Sequence, residues 1–309
     1  MLNTVLIKMK VSVVIPTHNR VDLLPRAIRS VQNQSYKDIE IIVVSDGSTD
    51  GTDNLMEELS KKDPRIKYIS YHPGHNGNYA RNTGIKAAKG EYIAFLDDDD
   101  EWLPTKLEEQ LAVMESDNSI GLVYTGTHSI YVDDGIEYDS FPEMEGNMSR
   151  KILLSNFIGS TTTVMVRKKI FEKVGLFDEE LPAIQDYDLW IRICQVTPIG
   201  VVSKPLVNYF NYRNSGQISS SYKKYEDAHA FVRKKYEKLF MQLSPKELDM
   251  ILAGQKASFG MRAFRVGNKK IARHYFCESL RIFVQKKVMI YYISTLFSYK
   301  FLLKLRSLR

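Results

Sequence analysis

Four consecutive aspartates, Asp97 to Asp100, are the residues whose type and spacing point most clearly to chemistry in this chain. Carboxylates this crowded repel one another strongly unless a cation lies among them. Hard oxygen donors suit Mg²⁺ or Mn²⁺, and these ions usually arrive with a diphosphate. The alternative is an acidic cap for a helix that starts near Pro104, although a cap needs only one or two carboxylates. The run therefore predicts a divalent metal site.

The elements that must position these aspartates are short β-rich segments that alternate with helical patterns. Strands are predicted at 11–17, 39–44, 66–71 and 91–96. Polar loops follow three of them, at 16–19, 45–48 and 72–78, and the last two contain glycine. Alternation of this kind is typical of βαβ units in a mostly parallel sheet, and ligands gather at the carboxyl ends of such strands. We therefore expect the three loops and the aspartates to share one rim.

The pattern loosens after residue 102, where two further strands at 122–125 and 129–132 indicate a mixed sheet. From residue 222 onward the pattern is almost purely helical. We predict an α/β domain over residues 1–218, divided into halves at residue 100, and a helical region over residues 219–309.

Four motifs in a fixed order carry a family resemblance. They are Val-Ser-Val-Val-Ile-Pro-Thr-His-Asn-Arg at 11–20, Val-Val-Ser-Asp-Gly-Ser-Thr-Asp-Gly-Thr at 43–52, Ala-Arg-Asn-Thr-Gly at 80–84 and Phe-Leu-Asp-Asp-Asp-Asp at 95–100. Together they resemble the family 2 glycosyltransferases over roughly residues 11–215. The resemblance implies a Rossmann-like GT-A fold with a mixed, mostly parallel sheet, a nucleotide-sugar donor and a divalent metal.

The first two motifs supply the predicted nucleotide-binding residues. Asp46 follows a buried strand and precedes a Gly-Ser turn, so its carboxylate can accept from the imide N–H of a uracil-type base. Pro16, Thr17 and Asn19 lie in the neighbouring loop, and Ser48 follows in the second motif. A purely local role, in which Asp46 and Ser48 cap the next helix, remains open beside this one.

The third and fourth motifs supply the predicted diphosphate and metal residues. Arg81 lies at the start of a helix after a glycine-rich loop, a phosphate-friendly position, although it could instead pair with a surface acid. By the resemblance, Asp99 contacts the metal directly and Asp97 belongs to the metal or ribose shell. Asp98 is assigned to the donor side with a lesser role, and Asp100 to an outer shell or a cap.

Inverting transfer also needs a base that removes a proton from the acceptor hydroxyl. The segment 185–192 resembles the part of the family that supplies it, which makes Asp186 the base and Asp188 its rival. Gln185 stands where many relatives have Glu, so one negative charge is missing beside the base. Arg213 lies in what resembles the family's closing loop, although the His that often accompanies it is absent here.

The charge of the chain is divided unevenly. Residues 260–309 hold twelve Lys or Arg and one acid, Glu278, so this tail carries +11 and residues 1–259 carry −5 of the total of +6. Such a tail attracts polyanions, including anionic lipid and nucleic acid. An apolar stretch at 288–297 is too short to span a bilayer and is flanked by basic residues, which favours peripheral membrane contact. A helical appendage with a solvated basic face is the alternative.

Two well separated cysteines, Cys194 and Cys277, favour a reducing compartment over a disulfide framework. The apolar stretch at 5–7 is short and lacks a cleavage signature, so no secretory signal is predicted. A cytoplasmic location follows, with peripheral contact to the inner face of the cell membrane as an added expectation.

The function predicted from these observations is metal-dependent, inverting transfer of a sugar from a UDP-sugar, such as UDP-glucose or UDP-galactose. The acceptor is a hydroxyl of a lipid-linked or polysaccharide glycan, as in bacterial polysaccharide, O-antigen or capsule assembly. One alternative is a sugar-1-phosphate nucleotidyltransferase, which would have a glycine-rich loop with Arg and Lys after its first strand. Another is nucleic-acid binding by the tail, but it leaves the acidic rim unexplained, so no nucleic-acid partner is predicted.

Overall fold

A mixed β-sheet forms the centre of the computed structural model, which describes residues 10–212 and 222–307. Its strands are β1 (Val11–Thr17), β2 (Ile39–Asp46), β3 (Ile66–Tyr71), β4 (Tyr92–Phe95), β5 (Glu101–Trp102), β6 (Leu122–Tyr131), β7 (Ile136–Asp139), β8 (Val164–Arg167) and β9 (Ile199–Asn211). The spatial order is β3-β2-β1-β4-β8-β6-β9-β5, and β7 pairs with β6. Strands β1 to β4 pair in parallel, whereas β8 is antiparallel to both β4 and β6.

Helices cover the sheet and make up the carboxyl-terminal region. They are α1 (Leu24–Gln32), α2 (Thr52–Lys62), α3 (Gly77–Ala87), α4 (Lys106–Ser116), α5 (Lys151–Leu154), α6 (Lys169–Val174), α7 (Gln185–Cys194), α8 (Tyr222–Lys235), α9 (Glu237–Phe240), α10 (Pro245–Arg265), α11 (Lys269–Ile282), α12 (Lys286–Ser294) and α13 (Tyr299–Ser307). The α/β class and the helical carboxyl-terminal region agree with the prediction from sequence.

Three of the parallel strands, β1, β2 and β4, are buried on both faces. Every residue of β1 and β2 is buried, as expected for Val- and Ile-rich strands that carry helices on either side. Helix α3 lies close to β1 because Gly84 has no side chain, and a Cβ there would collide with Val14. This close packing sets the position of the amino-terminal turns of α3 relative to the carboxyl ends of the strands.

The prediction of two separate strands at 122–125 and 129–132 is wrong, since β6 runs continuously from Leu122 to Tyr131. Its register against β9 shifts on both sides of Gly126, which is the signature of a bulge. A Cβ at Gly126 would collide with the carbonyl of Ser140, so only glycine fits there. The polar residues that indicated a break in the sequence mark this bulge instead.

Helices α8 to α13 pack on one another and on the sheet. Helix α10 begins with a capping box between Ser244 and Glu247, and the same glutamate pairs with Arg150 at 2.6 Å. The predicted boundary between residues 218 and 219 lies in the segment 213–221, outside the described residues. Within the described part of the chain, no helix combines the length and apolar character that crossing a membrane requires.

Candidate active site

The ends of β1, β2 and β4 open onto one cleft of about 560 Å³. Side chains of all four predicted motifs line it. From the predicted set, the lining contains Pro16, Thr17, Asp46, Arg81, Asp97, Asp98, Asp99 and Asp186. The structure therefore brings together residues that are up to 170 positions apart in the chain.

Asn19 and Ser48 are outside this lining and instead join the first two loops to each other. The Asn19 backbone has φ of 51°, a left-handed conformation that Asn tolerates better than most residues. Its N–H donates to the Ser48 hydroxyl at 3.0 Å, and its side-chain oxygen accepts from the Thr49 N–H at 2.7 Å. These bonds hold the two loops in register at the rim.

Asp46 is fixed by the loop that follows β3. Its carboxylate accepts from the His75 N–H at 2.7 Å, and its carbonyl accepts from the His18 ring at 2.6 Å. Gly74 permits this approach, because a Cβ there would lie 2.6 Å from the Asp46 carbonyl oxygen. The His75 ring stacks on Tyr79 with centroids 4.1 Å apart, so an exposed ring stack lies next to the Asp46 loop.

Two arginines provide positive charge for the aspartate run. Arg20 donates to Asp98 and also lies 2.8 Å from Asp99, while Arg81 pairs with Asp97 at 2.6 Å. Burial raises the pKa of Asp98 to about 6, even though Arg20 opposes the shift. The repulsion that suggested a cation in the sequence is thus offset in part by guanidinium groups.

Arg20 was not predicted as a site residue, although it is the last residue of the first motif. The signal was present, since a basic residue three positions past the end of β1 lies at the same rim as the aspartates. Its guanidinium lines the cleft and bridges the two central carboxylates.

Asp100 points away from the cleft into the core. Its carboxylate accepts from the Phe210 N–H at 3.1 Å, and burial, with Asp99 and Asp97 nearby, raises its pKa well above the usual range. This position fits the outer role expected for Asp100. It also places β9 against the aspartate loop.

The carboxylates that face the cleft fit a divalent metal of the type that also binds substrate phosphates. Among the described residues, no group of three or more His, Cys, Asp or Glu side chains surrounds a common position. Mg²⁺ sites in phosphate-transfer enzymes commonly use only one or two carboxylates and take their remaining ligands from phosphate and water. Asp97 and Asp99 provide that number of hard oxygen donors in the lining.

Asp186 lies in the first turn of α7 and faces the same cleft. The chain enters this helix through Ile184 at φ of 52°, a strained conformation for a β-branched residue. The Asp186 carboxylate accepts from the Tyr187 N–H at 2.7 Å and from the Asn156 amide at 3.2 Å. Burial raises its pKa to about 6 against these bonds and against Arg81.

Asp188 is absent from the lining and fully buried under α8 and α9. Its carboxylate accepts from Arg192 at 2.7 Å, from Lys235 at 2.8 Å and from the Tyr236 hydroxyl at 2.7 Å. Trp190 is also fully buried and donates to the Gly159 carbonyl at 3.0 Å. These bonds connect α7 to α8, to the start of α9 and to the loop at Gly159.

The carboxyl-terminal helices contribute one wall of the cleft, which the sequence did not predict. Tyr225 from α8 and both Arg262 and Arg265 from α10 line it. The Arg262 guanidinium lies 3.3 Å from the centre of the Tyr225 ring, and Arg265 donates to the Tyr212 carbonyl at 3.0 Å. In the sequence, the only indication of this wall was the excess of Lys and Arg in residues 260–309. Arg213 and the predicted closing loop lie outside the described residues.

The fold and the cleft define a GT-A type of glycosyltransferase domain. The crystal structure of S. aureus TarS 1-349 with UDP-GlcNAc superposes with a TM-score of 0.59 at 19% identity, covering 93% of this chain and 80% of the 1-349 chain. The glycosyl transferase family 2 model matches residues 12–175. The chain belongs to glycosyl transferase family 2, which confirms the family resemblance and the predicted GT-A fold.

Two relatives illustrate how far the similarity extends. A Bacillus subtilis glycosyltransferase, TuaG, whose name assigns it to teichuronic acid biosynthesis, is 33% identical over 234 residues, or 74% of this chain and 89% of TuaG. The Campylobacter jejuni GalNAc(5)-diNAcBac-PP-undecaprenol β-1,3-glucosyltransferase is 36% identical over 192 residues, or 60% of this chain and 59% of that enzyme. The chain spans only 32% of the length of two Rickettsia glycosyltransferases.

Proposed function

We propose that this protein transfers a sugar, with inversion, from a UDP-sugar such as UDP-glucose or UDP-galactose to a hydroxyl of a lipid-linked or polysaccharide acceptor. One observation carries the proposal. Asp186, a carboxylate with a pKa of about 6, faces the same cleft as the aspartate run and Arg81. A base and a diphosphate-binding cluster across one cavity are the two parts that direct displacement at an anomeric carbon requires.

The nucleotide is assigned to the rim between the first two loops. The Asp46 carboxylate keeps accepting capacity beyond its bond with the His75 N–H, so it can receive the imide N–H of uracil. The stacked rings of His75 and Tyr79 offer a flat surface next to it. The neighbour TarS was crystallised with UDP-GlcNAc, which supports a UDP donor.

The diphosphate is assigned to Arg81 and the aspartate run. Arg81 lies in the second turn of α3, whose amino end is capped by Asn76, and a guanidinium near a helix start favours phosphate. Asp99 and Asp97 would hold the metal. When bound, a divalent metal supplies charge that offsets the negative charge developing on the leaving nucleoside diphosphate.

Asp186 is assigned the proton transfer. As the acceptor oxygen bonds to the anomeric carbon, the bond to the diphosphate oxygen breaks and the hydroxyl proton passes to Asp186. A base with a pKa near 6 is deprotonated at neutral pH and still more basic than an ordinary aspartate. Asp188 is unsuited to this role because Arg192, Lys235 and Tyr236 already occupy its carboxylate.

The donor assignment is tested by thermal shift with UDP-, GDP- and dTDP-sugars, each with and without Mn²⁺. A UDP-sugar with Mn²⁺ at 100 times its Kd is expected to stabilise the protein by about 2.7 kcal/mol, a rise in Tm of several degrees. GDP-sugars are expected to give smaller shifts at the same concentration. A panel in which no nucleotide moves the melting curve contradicts the proposal.

We also propose that α12 and α13 contact the membrane surface. Ile293, Leu296 and Phe297 are more than half exposed, and Lys300 and Lys304 are exposed beside them. An exposed apolar patch with lysines suits the interface of an anionic leaflet. The apolar surface is smaller than the sequence pattern predicted, because Tyr291 and Leu303 are buried in the helical region.

Vesicle co-sedimentation tests this surface. The protein is expected to bind phosphatidylglycerol vesicles more tightly than phosphatidylcholine vesicles, and the double change Ile293→Ser with Leu296→Ser is expected to weaken binding at least about tenfold. Met241→Ser is the matched control, since Met241 is 76% exposed at the end of α9 and outside the patch. Equal binding by the patch variant and the Met241 variant contradicts the proposal.

A further inference from the structure

The Asp186 carboxylate is held from two sides by different kinds of donor. On one side the N–H of Tyr187, the next residue of α7, donates to Oδ1 at 2.7 Å. On the other side the Asn156 side-chain amide donates to Oδ2 at 3.2 Å, from the loop between α5 and β8. The first bond belongs to the local chain at the start of the helix. The second comes from another part of the fold, so it can set the direction of the carboxylate relative to the cleft.

Asn156 is itself held in one orientation. Its side-chain oxygen accepts from the Gly159 N–H at 3.0 Å, which leaves the amide nitrogen facing Asp186. Gly159 has φ of 83°, a left-handed conformation that favours glycine, and its carbonyl accepts from the Trp190 indole at 3.0 Å. Trp190 lies about one turn after Asp186 on α7. The loop is therefore bonded to this helix at two points, one of which is the proposed base.

The same loop also reaches the aspartate run. The Ser160 hydroxyl donates to Asp97 at 3.4 Å, and the Thr161 hydroxyl donates to the same carboxylate at 3.3 Å. Ser160 and Thr161 line the cleft, whereas Asn156 is half-buried and absent from the lining. The loop therefore connects the carboxylate assigned as base with a carboxylate assigned to the metal. Asn156 can influence transfer through the base, without contact to the substrate.

We infer that Asn156 positions the base: its amide aims the Asp186 carboxylate into the cleft, and its bond with Gly159 ties that direction to the loop that contacts Asp97. This inference rests on the proposed function, since it concerns the residue assigned to proton transfer. A hydrogen bond donated to a carboxylate also favours its charged form over its protonated form. Asn156 therefore keeps the base both aimed and deprotonated at neutral pH.

The Asn156 amide is one of several influences on this carboxylate. Burial raises the pKa of Asp186 to about 6, and the bonds from Tyr187 and Asn156 oppose the rise. Charged and titratable side chains from α3, the aspartate loop, α8 and α10 also interact with Asp186; they are Arg81, Asp97, Tyr225 and Arg262. These groups are unchanged in a variant at position 156. A difference between that variant and the unchanged chain therefore reports the amide.

Asn156→Asp is the sharpest test, because the two side chains have nearly the same shape. The new carboxylate still accepts from the Gly159 N–H, but it faces Asp186 with a second negative charge. Like charges raise the pKa of a carboxyl, so the fall of kcat/KM at low pH is expected to move upward from about pH 6 by at least about one unit. The measurement is UDP release from the UDP-sugar identified by thermal shift, with water in place of the acceptor hydroxyl.

Asn147→Asp is the matched control. Asn147 is exposed and outside the cleft lining, and its side-chain oxygen accepts from the Ser149 N–H at 3.1 Å, a local bond of the same kind. An added charge at an exposed position is screened by solvent and salt, so the midpoint is expected to stay within about 0.2 pH units of that of the unchanged chain. Equal shifts in the two Asn→Asp variants overturn the positioning role.

Asn156→Ala removes the bond to the base and the bond to the loop together. The carboxylate then loses the group that aims it, so kcat/KM at its plateau is expected to fall about 10- to 100-fold, while the donor Kd stays within about threefold. The midpoint is expected to rise by less than in Asn156→Asp, since a hydrogen bond is lost but no charge is added. A variant that binds the donor and keeps both the plateau and the midpoint of the unchanged chain overturns the inference.

The proposed function and this inference fail in different ways. If Asp186→Asn keeps the rate and the pH profile of the unchanged chain, Asp186 is not the base and the proposed function fails. If Asp186→Asn loses both while Asn156→Asp behaves like Asn147→Asp, the base stands and only the role of Asn156 fails.

Discussion

Asp186→Asn is expected to lower kcat for sugar transfer by about 10²- to 10⁴-fold while donor binding stays within about twofold. The amide has nearly the same shape as the carboxylate but cannot accept the proton of the acceptor hydroxyl. The measurement is steady-state transfer from the UDP-sugar identified by thermal shift, together with the Kd for that donor. A fall in kcat without a change in Kd separates loss of the base from loss of the site.

The pH profile adds a second signature of the base. Burial raises the pKa of Asp186 to about 6, so the carboxylate is protonated, and unable to act, below that pH. Wild-type kcat/KM is therefore expected to fall as pH decreases through about 6, and the residual kcat/KM of Asp186→Asn is expected to lack this limb. Arg81 and Asp97 lie close enough to influence the midpoint in opposite directions.

Asp188→Asn is the control for the rival assignment. Asp188 is fully buried and forms ion pairs with Arg192 and Lys235. The uncharged asparagine removes both ion pairs. Removing one partner of a buried pair typically costs about 3–5 kcal/mol of stability. The variant is expected to melt at a lower temperature but to keep kcat in its folded fraction. The reverse pattern, in which Asp188→Asn alone loses kcat, transfers the role of base to Asp188.

A second large effect is expected on metal-dependent donor binding. Asp99→Ala is expected to weaken Mn²⁺-dependent donor binding at least about tenfold, because it removes the carboxylate assigned to direct metal contact. The measurement is donor Kd with Mn²⁺ and with EDTA. Without metal, the variant and the unchanged chain are expected to differ little.

Asp98→Ala is a matched control for this effect. Asp98 and Asp99 both lie 2.8 Å from the same nitrogen of Arg20, so either change removes one contact with that guanidinium. Of these two residues, only Asp99 is assigned to the metal. Asp98→Ala is therefore expected to change donor Kd by the same factor with and without Mn²⁺. A larger metal dependence for Asp98 than for Asp99 contradicts the assignment.

The strand-end part of the site was predictable from local patterns. The strands at 11–17 and 66–71 have the predicted bounds, and polar loops after parallel strands necessarily converge on one edge. What the sequence could not tell was the direction of each side chain. Asn19 and Ser48 have residue types that suit a ligand, yet they bond to the neighbouring loop.

The carboxyl-terminal wall was beyond sequence reasoning for a different reason. Arg262 follows Arg81 by 181 positions, and its place in the cleft depends on how α10 packs against α8 and α5. Helical periodicity indicates which face of a helix is apolar, but it does not indicate the element on which that face packs. The excess of basic residues in the tail was visible in the sequence. It was interpreted as a membrane-binding surface, whereas Arg262 and Arg265 line the cleft.

Helix α10 forms one wall of the cleft from a part of the chain that lies beyond the family model. The family model ends at residue 175, before Arg262 and Arg265, whereas the aspartate run and the first two loops lie inside it. A change at Arg262 or Arg265 therefore alters this wall of the cleft without altering any residue that the family model covers.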